Sequence, residues 1–177
     1  MNKKIARSIE KLVTAPRWIL SGILGAGRVR VAGFPRWESN VRLRPEDGKI
    51  YIGKNSHFRS GVRLHTPGGV IRIGEYTTFS YNVSITSLNR VTIGKRVKIA
   101  NNVVIVDHDH DYMNNNVGYK TGSVVIEDDV WIGANCVVLK DTYIGHNSVI
   151  AAGCVVKGNI PARTVWGPSL ATKIKDF

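Results

Sequence analysis

Two histidines alternate with three aspartates in one short run, Asp107-His108-Asp109-His110-Asp111. An unperturbed imidazole titrates near pH 6.5, so it can take up or give back a proton at neutral pH. The chemistry on offer is general-base catalysis, in which an imidazole removes the proton of a nucleophile as that nucleophile attacks. The plainer alternative is a pair of solvated loop histidines. His57, His65 and His146 are expected at surface corners, away from this run.

A catalytic loop needs a rigid support, and the chain supplies one with a six-residue rhythm. Every sixth residue from Ile126 is aliphatic: Ile126, Ile132, Val138, Ile144, Ile150 and Val156. That exceeds by far what a 43% hydrophobic composition gives by chance. Four positions after most of them comes a compact residue, at Val130, Cys136, Thr142, Ser148 and Cys154. A period of six suits neither an amphipathic helix nor a strand alternating every two residues. It predicts an all-β fold, a parallel β-helix in which each hexad is one short strand and a corner. Ile52-Gly53, Ile73-Gly74 and Ile93-Gly94 open further coils, so about five are expected over residues 48–160. Pro67-Gly68-Gly69 reads as a corner insertion. Between Ile105 and Ile126 the rhythm fails, and the histidine run should leave the coil as an excursion loop, where function concentrates. Pro161, Gly167 and Pro168 should end the coil. Cys136 and Cys154 lie one coil apart and should stack on neighbouring rungs, roughly 4.8 Å from each other. They read as a disulfide or metal pair or, more plainly, as small core residues in a reducing compartment.

At 177 residues the chain reads as one globular unit. A basic helical or extended segment is expected over residues 1–47, and the β-helix with its C-terminal tail over 48–177. Residues 1–44 carry ten Lys and Arg against Glu10 and Glu38, a net of +8 out of +12 for the whole chain. A basic end implies an anionic partner such as phosphate, a nucleotide or a membrane surface. Nucleic acid is not expected, because no reading module or basic-aromatic stacking pattern accompanies the charge. Ile5, Ile9, Leu12 and Val13 share one face of a helix expected over residues 5–24, with Pro16 dividing it. Its second, apolar piece is too short to span a bilayer, and no small-x-small cleavage site of an export signal follows it. A core-capping or interfacial helix is expected, on a cytoplasmic protein with peripheral contact at the inner face of the membrane.

The ladder, the polar break with its histidines, and the run Val124-Val125-Ile126-Glu127-Asp128-Asp129-Val130-Trp131-Ile132-Gly133-Ala134-Asn135 together resemble the hexapeptide-repeat acyltransferases. The similarity is closest to their sugar O-acetyltransferase branch and covers residues 48–172. It implies a left-handed β-helix and a homotrimer with active sites in the clefts between subunits. It also implies acetyl-CoA as cosubstrate, no metal, and a sugar or glycan acceptor, in bacterial surface polysaccharide biosynthesis. Moving an acetyl group from a thioester to a hydroxyl needs a base for the hydroxyl proton and a dipole for the developing oxyanion. The family's motif around its base matches this run with His108 in the base position, whereas counting hexads from Ile105 favours His110. Both are catalytic candidates, and a neighbouring residue is expected to orient the base.

The resemblance further implies acceptor contacts at Ser80, Asn82, Asp107 and Trp131, although a lone Trp on a β-helix also serves as packing. Contacts to the cofactor are implied at Ala134 and Ala152 through the backbone, and at Lys157, Arg163 and Lys173 toward the CoA phosphates. The chain departs from the family pattern at Ser80, where Asn is usual, and at Ser87, where Asp is usual. Those departures leave the acceptor open, and the altered ending, Gly167-Pro168-Ser169-Leu170-Ala171-Thr172-Lys173, bears on the contacts to the CoA phosphates. N-acetylation of an amino sugar nucleotide and antibiotic inactivation are the alternatives within acetyl transfer. A γ-type carbonic anhydrase would need three zinc-binding histidines, two of them more widely spaced than His108 and His110. A purely structural β-helix would need no histidine-bearing loop.

Overall fold

The computed structural model describes residues 27–168. The helix expected over residues 5–24, the basic C-terminal tail and Lys173 lie outside them. Short parallel strands wind about one axis in roughly six turns, the parallel β-helix expected from the six-residue period and left-handed as the resemblance implied. The first coil is Val29–Val31, Arg36–Trp37 and Arg42–Arg44. Each of its strands pairs in register with the next coil's Lys49–Ile52, His57–Phe58 and Arg63–His65. The third coil is Val70–Ile73, Thr78–Phe79 and Ser84–Thr86, and the fourth Arg90–Ile93, Lys98–Ile99 and Val104–Val106. After the excursion the chain resumes with Ser123–Ile126, Trp131–Ile132 and Val137–Ile144. It closes with Val149–Ile150, Val155–Ile160 and Val165–Trp166. The first, second and third strands of successive coils stack into the three faces of a prism. Val137–Ile144 and Val155–Ile160 run round the third corner unbroken, which joins the first and third faces into one sheet.

The core is a set of columns, one residue per coil. Ile126, Ile132, Val138, Ile144, Ile150 and Val156 are all buried, as their period requires, and so are the compact residues Val130, Cys136, Thr142, Ser148 and Cys154. On the second face the column begins with rings. Trp37 stacks on Phe58 at 4.4 Å and Phe58 on Phe79 at 4.8 Å, both nearly parallel. Parallel ladders fix neighbouring strands at about 4.8 Å, so like side chains meet at close to van der Waals contact. Burying each aliphatic member of a column stabilises the fold by about 1.5–3 kcal/mol.

Corners demand a left-handed residue, which Asn tolerates better than most. Asn82, Asn102 and Asn135 each have φ of 58°. They form a ladder of side-chain bonds, Asn82 to Asn102 at 3.3 Å and Asn102 to Asn135 at 3.1 Å. Glycine after the aliphatic position answers a different need. A Cβ on Gly133 would stand 2.5 Å from the Ala152 backbone nitrogen of the next coil.

Three expectations change. Coils begin at Val29, before residue 48, because Val31, Trp37 and Leu43 already keep the six-residue spacing beneath a dense cover of arginines. Pro161 does not end the coil. It sits at a corner, where no ladder N–H is required, its carbonyl accepts from Ser148 Oγ, and Val165–Trp166 still pairs with Val149–Ile150. His57 and His65 lie on strands, facing Glu38 and Glu46, rather than at corners.

Both cysteines are free and buried, on neighbouring rungs set by the pairing of Val137 with Val155. Burial pushes the Cys136 thiol above its ordinary pKa. Neither thiol should react with Ellman's reagent until the protein unfolds, and immediate release of two equivalents would contradict the packing. Ile132→Ala should cost about 2–5 kcal/mol in urea denaturation, because the columns on either side cannot collapse into the gap. A loss under about 0.5 kcal/mol would mean that the column is not close-packed there.

Candidate active site

The excursion leaves the prism at its third corner, between the third strand of the fourth coil and the first strand of the fifth. It is a hairpin rather than an open loop. His108–His110 pairs antiparallel with Tyr119–Thr121, and a 3-10 turn, Tyr112–Asn114, forms the tip. Gly122 N donates to the Asp107 carbonyl at 2.7 Å and closes the base. Asn89 bridges the same junction. Its backbone N–H donates to Asp107 at 2.9 Å, and its side-chain amide donates to the Gly122 carbonyl at 2.6 Å.

Asp107 has no exposed surface. Its Oδ1 accepts from Leu88 N at 2.8 Å and from His108 Nδ1 at 3.1 Å. Its Oδ2 accepts from Ser87 Oγ at 2.7 Å and from Asn89 N at 2.9 Å. An acceptor on the Nδ1 side fixes the hydrogen there and leaves Nε2 with its lone pair, the tautomer a general base needs. His108 keeps 16% of its side-chain surface exposed, at the outer end of this relay. Tyr119 meets the His108 ring edge-on at 5.3 Å and the His110 ring at 4.8 Å. His110 is exposed and has no carboxylate behind it. Burial and hydrogen bonding therefore set His108 apart. Asp107, expected among the acceptor contacts, is sealed beneath His108 and meets its Nδ1.

Other candidates fall elsewhere on the prism. Ser80, Asn82, Ala134 and Ala152 lie on the second corner, separated from His108 within one chain by the whole third face. Asn82 is held in the asparagine ladder. Ala152 is exposed and Ala134 half-buried, with the Ala134 carbonyl accepting from Gly153 N at 2.8 Å. Trp131 is 53% exposed on the second face, beside Arg96, Lys98 and Asp129, in a groove of 440 Å³. Lys157 is exposed at the third corner, where its charge acts on Asp141. Arg163 is a left-handed residue of the first corner, its N–H bonded to the His146 carbonyl, so it does not meet Lys157.

Ser87, Leu88 and Asn89 hold the buried Asp107 carboxylate, and Ser87 drew notice only as a departure from the family pattern. A signal existed in the register. Counting two residues past Leu64, Ile85, Ile105 and Val138 gives Thr66, Ser87, Asp107 and Lys140, one polar column at the third corner. Lys140, 15% exposed, pairs with Asp141 at 2.8 Å and reaches Asp109 at 3.9 Å.

A parallel β-helix with a histidine–aspartate pair at the root of an excursion defines a class. Residues 123–158 match the family described as bacterial transferase hexapeptide (six repeats), and over that stretch the chain is similar to it. It is similar to the putative lipopolysaccharide biosynthesis O-acetyl transferase WbbJ of Escherichia coli strain K12. The two are 38% identical over 107 residues, 54% of this chain and 55% of that protein. The chain thus spans about half the length of the curated relatives it matches. Among solved structures it resembles the hexapeptide-repeat containing acetyltransferase VCA0836 of Vibrio cholerae. That match has 26% identity and a TM-score of 0.55, over 92% of this chain and 82% of that one. It also resembles a variant of AntD, an N-acyltransferase of Bacillus cereus solved with dTDP-4-amino-4,6-dideoxyglucose and Coenzyme A. There the identity is 16% and the TM-score 0.65, over 88% of this chain and 87% of that one, which speaks for the fold alone.

Removing the buried carboxylate strands several donors at once. Asp107→Ala should lower unfolding free energy by on the order of 3 kcal/mol, read by chemical denaturation. A variant as stable as the parent would show that the Ser87, Leu88 and Asn89 donors find water instead, and that Asp107 is not the anchor of this corner.

Proposed function

We propose that the chain is an acetyl-CoA-dependent acyltransferase that acetylates a sugar hydroxyl in the assembly of a bacterial surface polysaccharide. One observation carries the reading: His108 is fixed by a buried aspartate with Nε2 free, at the root of the excursion. The likeness to an O-acetyl transferase of lipopolysaccharide biosynthesis supports the acceptor class.

In this reading His108 Nε2 takes the hydroxyl proton as the sugar oxygen attacks the acetyl carbonyl of acetyl-CoA. Asp107 stabilises the imidazolium that forms. The tetrahedral intermediate then collapses, the C–S bond breaks, and the proton on Nε2 passes to the departing thiolate. O-acetyl sugar and CoA are the products, and His108 returns to its starting state. Backbone groups beside Ala134 and Ala152 would line the pantetheine arm.

The second corner, with Ala134 and Ala152, and the third, with the base, stand apart in one chain, so a second copy must bring them together. The third face suits that contact. Val104, Val137 and Val155 form an outward column along it, and Val155 is 71% exposed. An apolar strip on a rigid face is a self-association surface. A homotrimer closing three such clefts is therefore part of the proposal.

His108→Ala should lower acetyl transfer by about 10²–10⁴ while keeping assembly size and acetyl-CoA affinity, since only the positioned base is lost. His110→Ala should do much less. Equal losses in the two variants would remove the distinction that Asp107 draws. In a panel of acceptors, hydroxyl sugars should turn over in preference to amino sugars, and the reverse ranking would make the enzyme an N-acetyltransferase. Light scattering that shows a stable monomer at micromolar concentration would sink the shared-cleft arrangement.

A further inference from the structure

Charge is distributed along the prism with a strong polarity. Residues 28–63, the first two coils, hold nine Lys and Arg against three Asp and Glu, whereas residues 64–168 hold nine against eight. The basic side chains of these two coils do not line one groove. Arg30 and Lys49 project from the first face, Arg36 from the second, and Arg42 and Arg44 from the third, all of them exposed. Among the described residues, Arg36, Arg42, Arg44 and Lys49 have no carboxylate within ion-pair distance. His57, on the next rung, is held below its ordinary pKa first by burial and then by Arg59 and Arg36, with Glu38 opposing. At the first corner of the same coil Phe34 is 89% exposed beside Pro35. This coil follows directly on residues 1–26, whose sequence adds five more basic residues against Glu10 and the apolar run Trp18-Ile19-Leu20.

We propose that this basic collar docks the N-terminal end of the prism on an anionic phospholipid bilayer. A linear polyanion would be served by one face. Positive charge around all three faces at one end, with an exposed phenylalanine among them, fits a flat anionic surface into which one ring inserts. The axis then stands away from the surface. The His108 corner follows the fourth coil, three rungs on, at roughly 14 Å from the collar. That depth is within reach of a short saccharide carried on a lipid headgroup. This last step rests on the acetyl-transfer reading, whereas the docking itself does not.

The test is flotation of the full chain with vesicles of phosphatidylcholine alone or with 30% phosphatidylglycerol. The protein should float with the anionic vesicles, stay behind with the neutral ones, and be released at about 0.5 M NaCl, where screening shortens to a few ångströms. The triple variant R36Q/R44Q/K49Q should keep its melting temperature and lose roughly a hundredfold in partition coefficient. F34S should lose several-fold. Binding by the triple variant within twofold of the parent would overturn the proposal. So would equal binding to neutral vesicles, or release of the protein from anionic vesicles by duplex DNA at equal charge. With an acceptor saccharide on a lipid anchor, parent and triple variant should differ in KM and share kcat, and with the free saccharide they should agree in both. No turnover on either acceptor would count against acetyl transfer and leave the vesicle result to decide the docking.

Discussion

Everything in this protein hangs on the distance between one coil and the next. Parallel backbone bonds hold successive rungs at about 4.8 Å, too close for anything but like against like. Rings therefore stack on rings at Trp37, Phe58 and Phe79, and asparagines bond asparagines along the second corner. On the first corner like would mean repulsion, and the charges alternate instead. Glu75 sits between Lys54 and Lys95, at 3.3 and 3.4 Å, and those partners hold its carboxyl below the usual range. Such exposed pairs add little to stability. Their place is to remove a conflict that the spacing would otherwise create.

The catalytic corner uses the same spacing for a different end. A buried carboxylate is costly unless its lone pairs are filled. Asp107 sits one rung above Ser87, so the coil beneath supplies the hydroxyl and two backbone N–H groups that fill them. The excursion can be inserted here without breaking the ladder, because Gly122 returns to the Asp107 carbonyl and the next strand resumes in register against Arg90–Ile93. A rigid solenoid thereby carries a reactive side chain on a short lever anchored at both ends, which keeps the imidazole oriented before any substrate arrives.

The prism separates its tasks by corner and by height. His108 and Asp107 belong to the third corner, and Ala134 and Ala152 belong to the second. The concentrated positive charge belongs to the first two rungs. Because each rung contacts only its neighbours, these regions can change independently in sequence.

The inward columns were legible in the sequence because a period of six admits one geometry, and Ile126, Ile132 and Val138 could point nowhere else. The place of the excursion was legible for the same reason, as the one long failure of that period. The first coil was harder to see, since the arginines around Trp37 and Leu43 hide a register that is nonetheless kept. The choice between His108 and His110 lay beyond the sequence. Both are imidazoles flanked by aspartates, and counting rungs could not include the pairing of the hairpin. What separates them is visible only in the tertiary structure, which buries Asp107 against donors about twenty residues earlier in the chain and bonds it to His108. Those contacts depend on corner insertions of differing length, which shift which residues meet across a rung. Periodicity determines what faces inward, and the folded coil determines what lies on top of what.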